Sequence, residues 1–154
     1  MIEYRKANHD DVDSLTKLRI MFLCEFSPVT CEEAKTILFE NNRLFFRNGL
    51  SDGSFVAFVA LHDSEIIATS GLSLFVLPPH QSNMNGKAAY ISNMYTREHY
   101  RKRGIASALF SMTVQEAKRL GHTKILLNAS DMGRPLYEKF GFRTDPNDMV
   151  YYAE

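Results

Sequence analysis

From its N-terminus the chain alternates apolar and polar positions at Ile2 and Tyr4, the two-residue period of a short strand. Asn8, His9 and Asp10 then offer side chains that cap a helix, and Val12, Leu15, Leu18, Phe22 and Phe26 recur on one helical face. Ser27-Pro28 ends that helix, because a proline disfavours helical backbone in the residue before it. Thr30 and Glu33 have the spacing of a capping box, which predicts a second helix from there with Gly49 as its stop. Phe45 and Phe46 near its end read as core or lid residues, with substrate contact as the alternative.

Two stretches rich in Val, Ile, Phe and Leu follow, residues 54–61 and 65–76, joined by the turn residues His62-Asp63-Ser64, and they read as a hairpin. Pro78-Pro79, Asn83, Asn85 and Gly86 make residues 77–87 a loop, and residues 88–96 the next strand. Ile105, Ala108, Leu109, Met112 and Leu120 form an apolar stripe at helical spacing over residues 104–120, stopped by Gly121. Residues 123–129 are an apolar strand. Pro135 suits the first turn of a short helix ending at Phe140-Gly141, and residues 142–144 and 149–153 read as closing strands. Strand, two helices, three strands, helix, strand, helix and two strands predict a mixed sheet covered by helices, an α/β fold in one domain spanning residues 1–154.

Composition narrows the function. At 154 residues, 45% hydrophobic and 23% charged, the chain is that of a packed globular protein. Lys plus Arg and Asp plus Glu number 18 each, so no bulk field draws it to nucleic acid or to an anionic membrane, and any anion site is local. Residues 1–5 lack the order of a signal peptide and no apolar run approaches about 18 residues, so a cytoplasmic location is expected. Cys24 and Cys31 lie outside any CxxC pattern and stay thiols in a reducing compartment. His9, His62, His80, His99 and His122 show no metal-ligand spacing, and no metal site is expected.

The local anion site is sought at Arg101-Lys102-Arg103-Gly104-Ile105-Ala106, between a strand and a helix, where unsatisfied backbone N–H groups and the helix dipole favour a negative group. Gly104 lets the main chain approach a ligand, and Lys102 and Arg103 add charge at the rim. The segment is neither GxxxxGK[ST] nor GxGxxG, and by itself it also reads as a solvated basic turn.

Arg101, Gly104 and Ala106 fill the defined positions of a segment that resembles the coenzyme A signature of the GNAT N-acetyltransferases, Arg/Gln-x-x-Gly-x-Gly/Ala. Downstream, Leu136-Tyr137-Glu138-Lys139-Phe140-Gly141-Phe142 resembles the family's second signature, LYEKxGF, at the expected distance and after the expected helix and strand. Motif-level resemblance covers residues 88–142. Before that only the pattern of elements matches, and substrate choice in this family depends largely on that part.

The resemblance implies a GNAT fold, a mixed and mostly antiparallel sheet of about six to seven strands flanked by about four helices and splayed in the middle to bind acetyl-CoA. The strand before the signature carries a bulge there, at positions matched by Met94, Tyr95 and Thr96, whose main-chain groups hold the pantetheine arm and polarise the thioester carbonyl. Lys102, Arg103, Gly104, Ile105, Ala106 and Ser107 wrap the pyrophosphate, and Arg101 belongs to the same cofactor set. Tyr137 matches the tyrosine that gives a proton or a hydrogen bond to the departing thiolate. Many members carry Asn seven residues before that tyrosine; this sequence has Ser130 there and Asn128 nearby, and both are candidate cofactor contacts, with Ser130 or Asp131 as a helix cap in the alternative. Arg134 is a further contact or a surface charge.

The acceptor is an amine that must lose a proton before attack. Glu25, Asp63, His80, Glu98 and His99 are the candidate bases, and none stands out. Tyr90 stands where the histone-modifying members carry a glutamate. Phe45, Phe46, Pro78-Pro79 and Met84 are candidates for an apolar acceptor wall. The family's implied partners are acetyl-CoA and an amine, with homodimers common; a sensor that binds acetyl-CoA without turnover is the alternative.

Overall fold

The computed structural model describes residues 1–153. Its sheet runs β1 (Glu3–Lys6), β2 (Phe55–His62), β3 (Glu65–Val76), β4 (Lys87–Thr96) and β5 (Lys124–Leu127), in that spatial order. The first four strands are antiparallel and β5 lies parallel to β4. Helices α1 (Val12–Phe26) and α2 (Glu32–Asp52) cover one face, α3 (Ile105–Arg119) covers the other, and the short α4 (Arg134–Lys139) follows β5.

The unbroken apolar run of β2 follows from this layering, because a strand covered on both faces alternates nothing. Phe55, Ala57, Val59 and Leu61 point to the core under α1 and α2, while Val56, Phe58 and Ala60 point to the core under α3. The β2–β3 connection is a two-residue turn in which Asp63 and Ser64 both have positive φ, 48° and 66°, the geometry that matches strand twist. Asn8 and Asp11 form a reciprocal capping box before α1. The Asp11 carboxylate is partly desolvated, which alone raises its pKa, but two hydrogen bonds from Arg5 and one from the Asn8 N–H hold it below the usual range.

Three expectations need correction. Helix α2 starts at Glu32 with Cys31 as its N-cap and no capping hydrogen bond from a side chain, so Thr30 and Glu33 form no box. Gly49 does not stop α2, which runs to Asp52 and ends on Gly53 in the left-handed conformation, φ 79°. Gly49 is there because Phe55 is pressed against it: a Cβ would lie 2.5 Å from Phe55 Cβ. On its other side the same ring meets Gly71 of β3, where a Cβ would lie 2.6 Å from Phe55 Cζ. Finally, five strands form among the described residues. Residues 142–144 and 149–153 are not strands, and Met149, Val150, Tyr151 and Tyr152 are exposed, so the outer edge of β5 gains no partner from them.

Alanine at an ordinary helical glycine gains about 1 kcal/mol. At Gly49 the collision with Phe55 outweighs it, since forcing a methyl into a filled core costs about 1–3 kcal/mol. Gly49→Ala is therefore expected to lower the midpoint of chemical denaturation, whereas the same change at an exposed helix position raises it; a stabilised Gly49→Ala protein would contradict this packing.

Candidate functional site

Strands β4 and β5 pair only from Ala88↔Lys124 to Ile91↔Leu127. Both chains continue, but apart, and a cleft of about 570 Å³ opens between them. The main-chain groups of β4 beyond Ile91 on that side have no strand partner, although buried peptide groups need one. The divergence begins at a bulge. On β3, Thr69 pairs with Tyr95 and Gly71 with Ser92, so the single residue Ser70 faces both Asn93 and Met94. Asn93 takes the left-handed conformation, φ 56°, which asparagine tolerates better than most residues. Ser70 is held from behind: Thr113 of α3 donates to the Leu109 carbonyl at 2.9 Å, leaving its oxygen to accept from the Ser70 hydroxyl at 2.7 Å.

Asn93 was not singled out by sequence reasoning. It is 2% exposed, lines the cleft, and finds no hydrogen-bond partner for either its amide oxygen or its amide nitrogen. The available signal was an asparagine in the middle of a strand that is otherwise mostly apolar. Of the strand residues that were singled out, Met94 lines the cleft, while Tyr95 is buried against α1 and its hydroxyl donates to Glu25 at 3.0 Å. The Thr96 carbonyl accepts from Arg101 Nε at 2.8 Å.

After β4 a 3-10 turn at Glu98–Tyr100 leads to the basic segment. Tyr100 fixes this turn, its hydroxyl 3.0 Å from His62 Nδ1 and its ring under the Arg103 guanidinium. Arg101 folds back. It makes two hydrogen bonds of 2.8 and 2.9 Å to the Glu25 carboxylate and lies over the Tyr95 ring, which braces the segment against the end of α1. Lys102 and Arg103 are exposed and have no ion-pair partner among the described residues. Lys102 and Gly104 both have positive φ, 60° and 77°, so the backbone coils into a concave turn.

At the start of α3 the first helical bond runs from the Ala108 N–H to the Gly104 carbonyl at 3.0 Å. The N–H groups of Ile105, Ala106 and Ser107 thus lack an intrahelical acceptor, no side chain caps them, and the first turn holds no acidic residue. A Cβ on Gly104 would meet nothing within 4 Å, so the space in front of this turn is open. Bare N–H groups, the positive end of a 15-residue helix and two free cations fit a diphosphate.

Tyr137 of α4 lines the same cleft, 7% exposed, with its ring 5.0 Å from that of Phe110. Burial pushes its pKa above the ordinary phenol value. Gly133, also missed by sequence reasoning, makes room for it: a Cβ there would lie 2.8–3.0 Å from the ring and hydroxyl. Its φ of −84° is open to any residue, so the requirement is steric alone. Asn128 is exposed on the cleft wall, whereas the Ser130 hydroxyl accepts from the Gly133 N–H at 3.1 Å and so works as a cap while still lining the cleft. Arg134 is exposed and reaches Thr144 at 3.3 Å.

None of Glu25, Asp63, His80, Glu98 and His99 lines the cleft. Its apolar wall comes from Phe22, Leu23 and Phe26 at the end of α1, not from the aromatic and proline residues considered earlier. Phe46 belongs to the core, and Phe45 stacks edge-on against Phe46 and Phe55.

The model of the acetyltransferase (GNAT) family matches residues 16–142. Among solved structures, a predicted acetyltransferase with acetyl-CoA from Clostridium acetobutylicum is 31% identical with a TM-score of 0.91, the match covering 99% of this chain and 96% of that one. A GCN5-related N-acetyltransferase from Ralstonia eutropha JMP134 is 27% identical with a TM-score of 0.87, covering 99% of both. A ribosomal-protein-alanine N-acetyltransferase from Brucella melitensis biovar Abortus 2308, 18% identical with a TM-score of 0.71 and covering 100% of both chains, shares the fold. No curated protein matches the chain.

Two substitutions test the geometry. Gly104→Glu places a carboxylate at the concave turn and forces a side chain into left-handed backbone, which costs about 1–2 kcal/mol; calorimetry with coenzyme A is expected to show affinity at least about tenfold weaker, and unchanged affinity would remove the diphosphate from this turn. Gly133→Ala is expected to displace the Tyr137 ring, so that ring-proton shifts of Tyr137 change while coenzyme A affinity holds; an undisturbed ring would mean the contact is slack.

Proposed function

The chain belongs to the GNAT acetyltransferase family, and from that premise we propose that it works as one domain transferring the acetyl group of acetyl-CoA directly to a primary amine. The observation that carries this reading is a cleft with an unpaired strand edge on one side and Tyr137 in its wall, in a chain whose helix after that same strand opens on bare N–H groups. Acetyl-CoA supplies a thioester, an acyl donor whose carbonyl gathers negative charge during attack and whose sulfur leaves as a thiolate.

Each of these demands has a group in this chain. The N–H groups of Ile105, Ala106 and Ser107, with Gly104 and the charges of Lys102 and Arg103, hold the diphosphate. Main-chain groups of β4 at Met94, Tyr95 and Thr96 hold the pantetheine arm as a further strand would, with Asn128 and Ser130 on the opposite wall. Arg101 serves the cofactor by holding the turn in place through Glu25. Main-chain N–H groups at the bulge, with the unpartnered Asn93 amide beside them, supply donors toward the carbonyl oxygen.

Tyr137 meets the leaving thiolate. A phenol near pKa 10 is a weaker acid than a thiol near 8.5, a gap of about 2 kcal/mol against proton transfer. Burial raises the Tyr137 value further, which favours a hydrogen bond to the thiolate over transfer of the proton.

Thiol release from acetyl-CoA, followed across a panel of primary amines, tests the reading: amine-dependent release is expected, and saturable binding of acetyl-CoA without consumption would leave a sensor instead. With a productive amine, Tyr137→Phe is expected to lower kcat roughly ten- to a hundredfold, the worth of one hydrogen bond to a charged group, with coenzyme A affinity unchanged. Full activity in that variant would take Tyr137 out of the chemistry.

A further inference from the structure

Five arginines are partly buried, Arg5, Arg19, Arg43, Arg97 and Arg101. Four of them pair with carboxylates, on Asp11, Asp13, Glu65 and Glu25 respectively. Arg19 has no ion-pair partner among the described residues, yet it sits on the α1 wall of the cleft, its guanidinium 5.5 Å from the centre of the Phe22 ring. Leu23, Phe26, Tyr90 and Ser92 also line the cleft, and Asp131 is the one carboxylate on it. Burial lowers the Arg19 pKa, and the Tyr90 phenol alone offsets it. A guanidinium stays protonated even so, which makes this a partly desolvated cation with no counter-ion among the described residues, an arrangement that folding penalises.

The cofactor does not supply the missing anion under the reading proposed above. Its diphosphate is accounted for at the start of α3 with Lys102 and Arg103, and none of these residues borders the cleft beside Arg19. Asp131, the one carboxylate on the cleft lining, is exposed and makes no ion pair with Arg19. The α1 side of the cleft, facing the bulge and Tyr137, is where an acceptor would stand.

We infer that Arg19 binds an anionic group of the acceptor, so that the substrate is a small amine carrying a carboxylate or a phosphate at its other end. This rests on the transferase reading and adds the substrate class. A guanidinium suits both anions, because its fork donates two parallel hydrogen bonds to paired oxygens. Phe22 lies beneath it, Leu23 and Phe26 add apolar lining, and the Tyr90 hydroxyl on the same cleft offers a further hydrogen-bond donor.

Matched acceptors test it: β-alanine and γ-aminobutyrate against their carboxamides, and phosphoethanolamine against ethanolamine, each with saturating acetyl-CoA. At least one anionic member is expected to exceed its neutral partner about tenfold or more in kcat/KM, and Arg19→Gln to reduce that ratio about 10- to 100-fold, mainly through KM, with Arg19→Lys restoring part of it. The carboxylate and phosphate pairs then tell the two anions apart. Neutral members serving as well as anionic ones, or a variant whose losses fall equally on both, would overturn the inference while leaving the transferase intact. A readout without turnover separates the two ideas: in coenzyme A-saturated protein the Arg19 Nε–H resonance should move on adding N-acetyl-β-alanine or N-acetylphosphoethanolamine and stay with N-acetyl-β-alaninamide. If it moves while no amine is acetylated, the anion site stands and the transferase falls; if no anion moves it, the inference fails.

Discussion

Past Ile91 and Leu127 the outermost strand and its neighbour stop sharing hydrogen bonds part-way along their length, and the site depends on what causes that parting and what uses it. Main-chain donors and acceptors inside a fold are costly when unpaired, about 1–3 kcal/mol each. A covered, unpaired strand edge therefore persists only when something else holds the strands apart. Here the bulge at Asn93 turns β4 away, and Ser70, the residue it faces, is tied to Thr113 on α3. The parting is built into the packing of β3 against α3.

That tie has a consequence for the second half of the site. The helix that backs the bulge through Thr113 also begins, at Ile105, with the uncapped N–H groups that follow the basic turn. One rigid element thus sets the geometry of both the strand edge along β4 and the bare helix end, the two features on which the proposed cofactor binding rests. From the opposite face, the end of α1 closes the arrangement: Glu25 grips Arg101 and Tyr95, and Phe22 packs edge-on to Tyr95. Phe55, wedged between Gly49 and Gly71, joins α2 to the strand beside the bulge.

Elements governed by local periodicity were legible in the sequence. The stripe of α3, the β2–β3 hairpin with its Asp63-Ser64 turn and the end of α1 at Ser27 lie within a residue or two of expectation, because each is decided by its own neighbours. What depends on distant contact was not. A glycine at a helix end and a glycine under an aromatic ring look alike in one dimension, so Gly49 read as a stop until Phe55 was seen against it. The expected last two strands failed for a related reason: residues 142–144 and 149–153 have the composition of strands, but a strand exists only by pairing, and no pairing is encoded locally. In the site, the Arg-x-x-Gly-x-Ala spacing located the turn. It could not show that Arg101 turns back to Glu25, or that Asn93 and Gly133 shape the cleft.

Charge was the least legible property, because its meaning lies in pairing and not in number. A chain with equal positive and negative counts gives no overall sign. Yet three arginines have different states: Arg101 neutralised by Glu25, Arg103 exposed over Tyr100, and Arg19 partly buried on the cleft wall with no ion-pair partner among the described residues. The first stiffens the turn, the second adds to the field at its mouth, and only the third is left with an unmet electrostatic demand inside the cleft. Fixed positive charge at two separated places, Arg19 on the cleft wall and the basic turn after β4, leaves an uncharged bulge between two sites that favour anions. An acyl transfer needs such an uncharged stretch, since groups aimed at a developing oxyanion act most strongly where water and stray counter-ions are kept out.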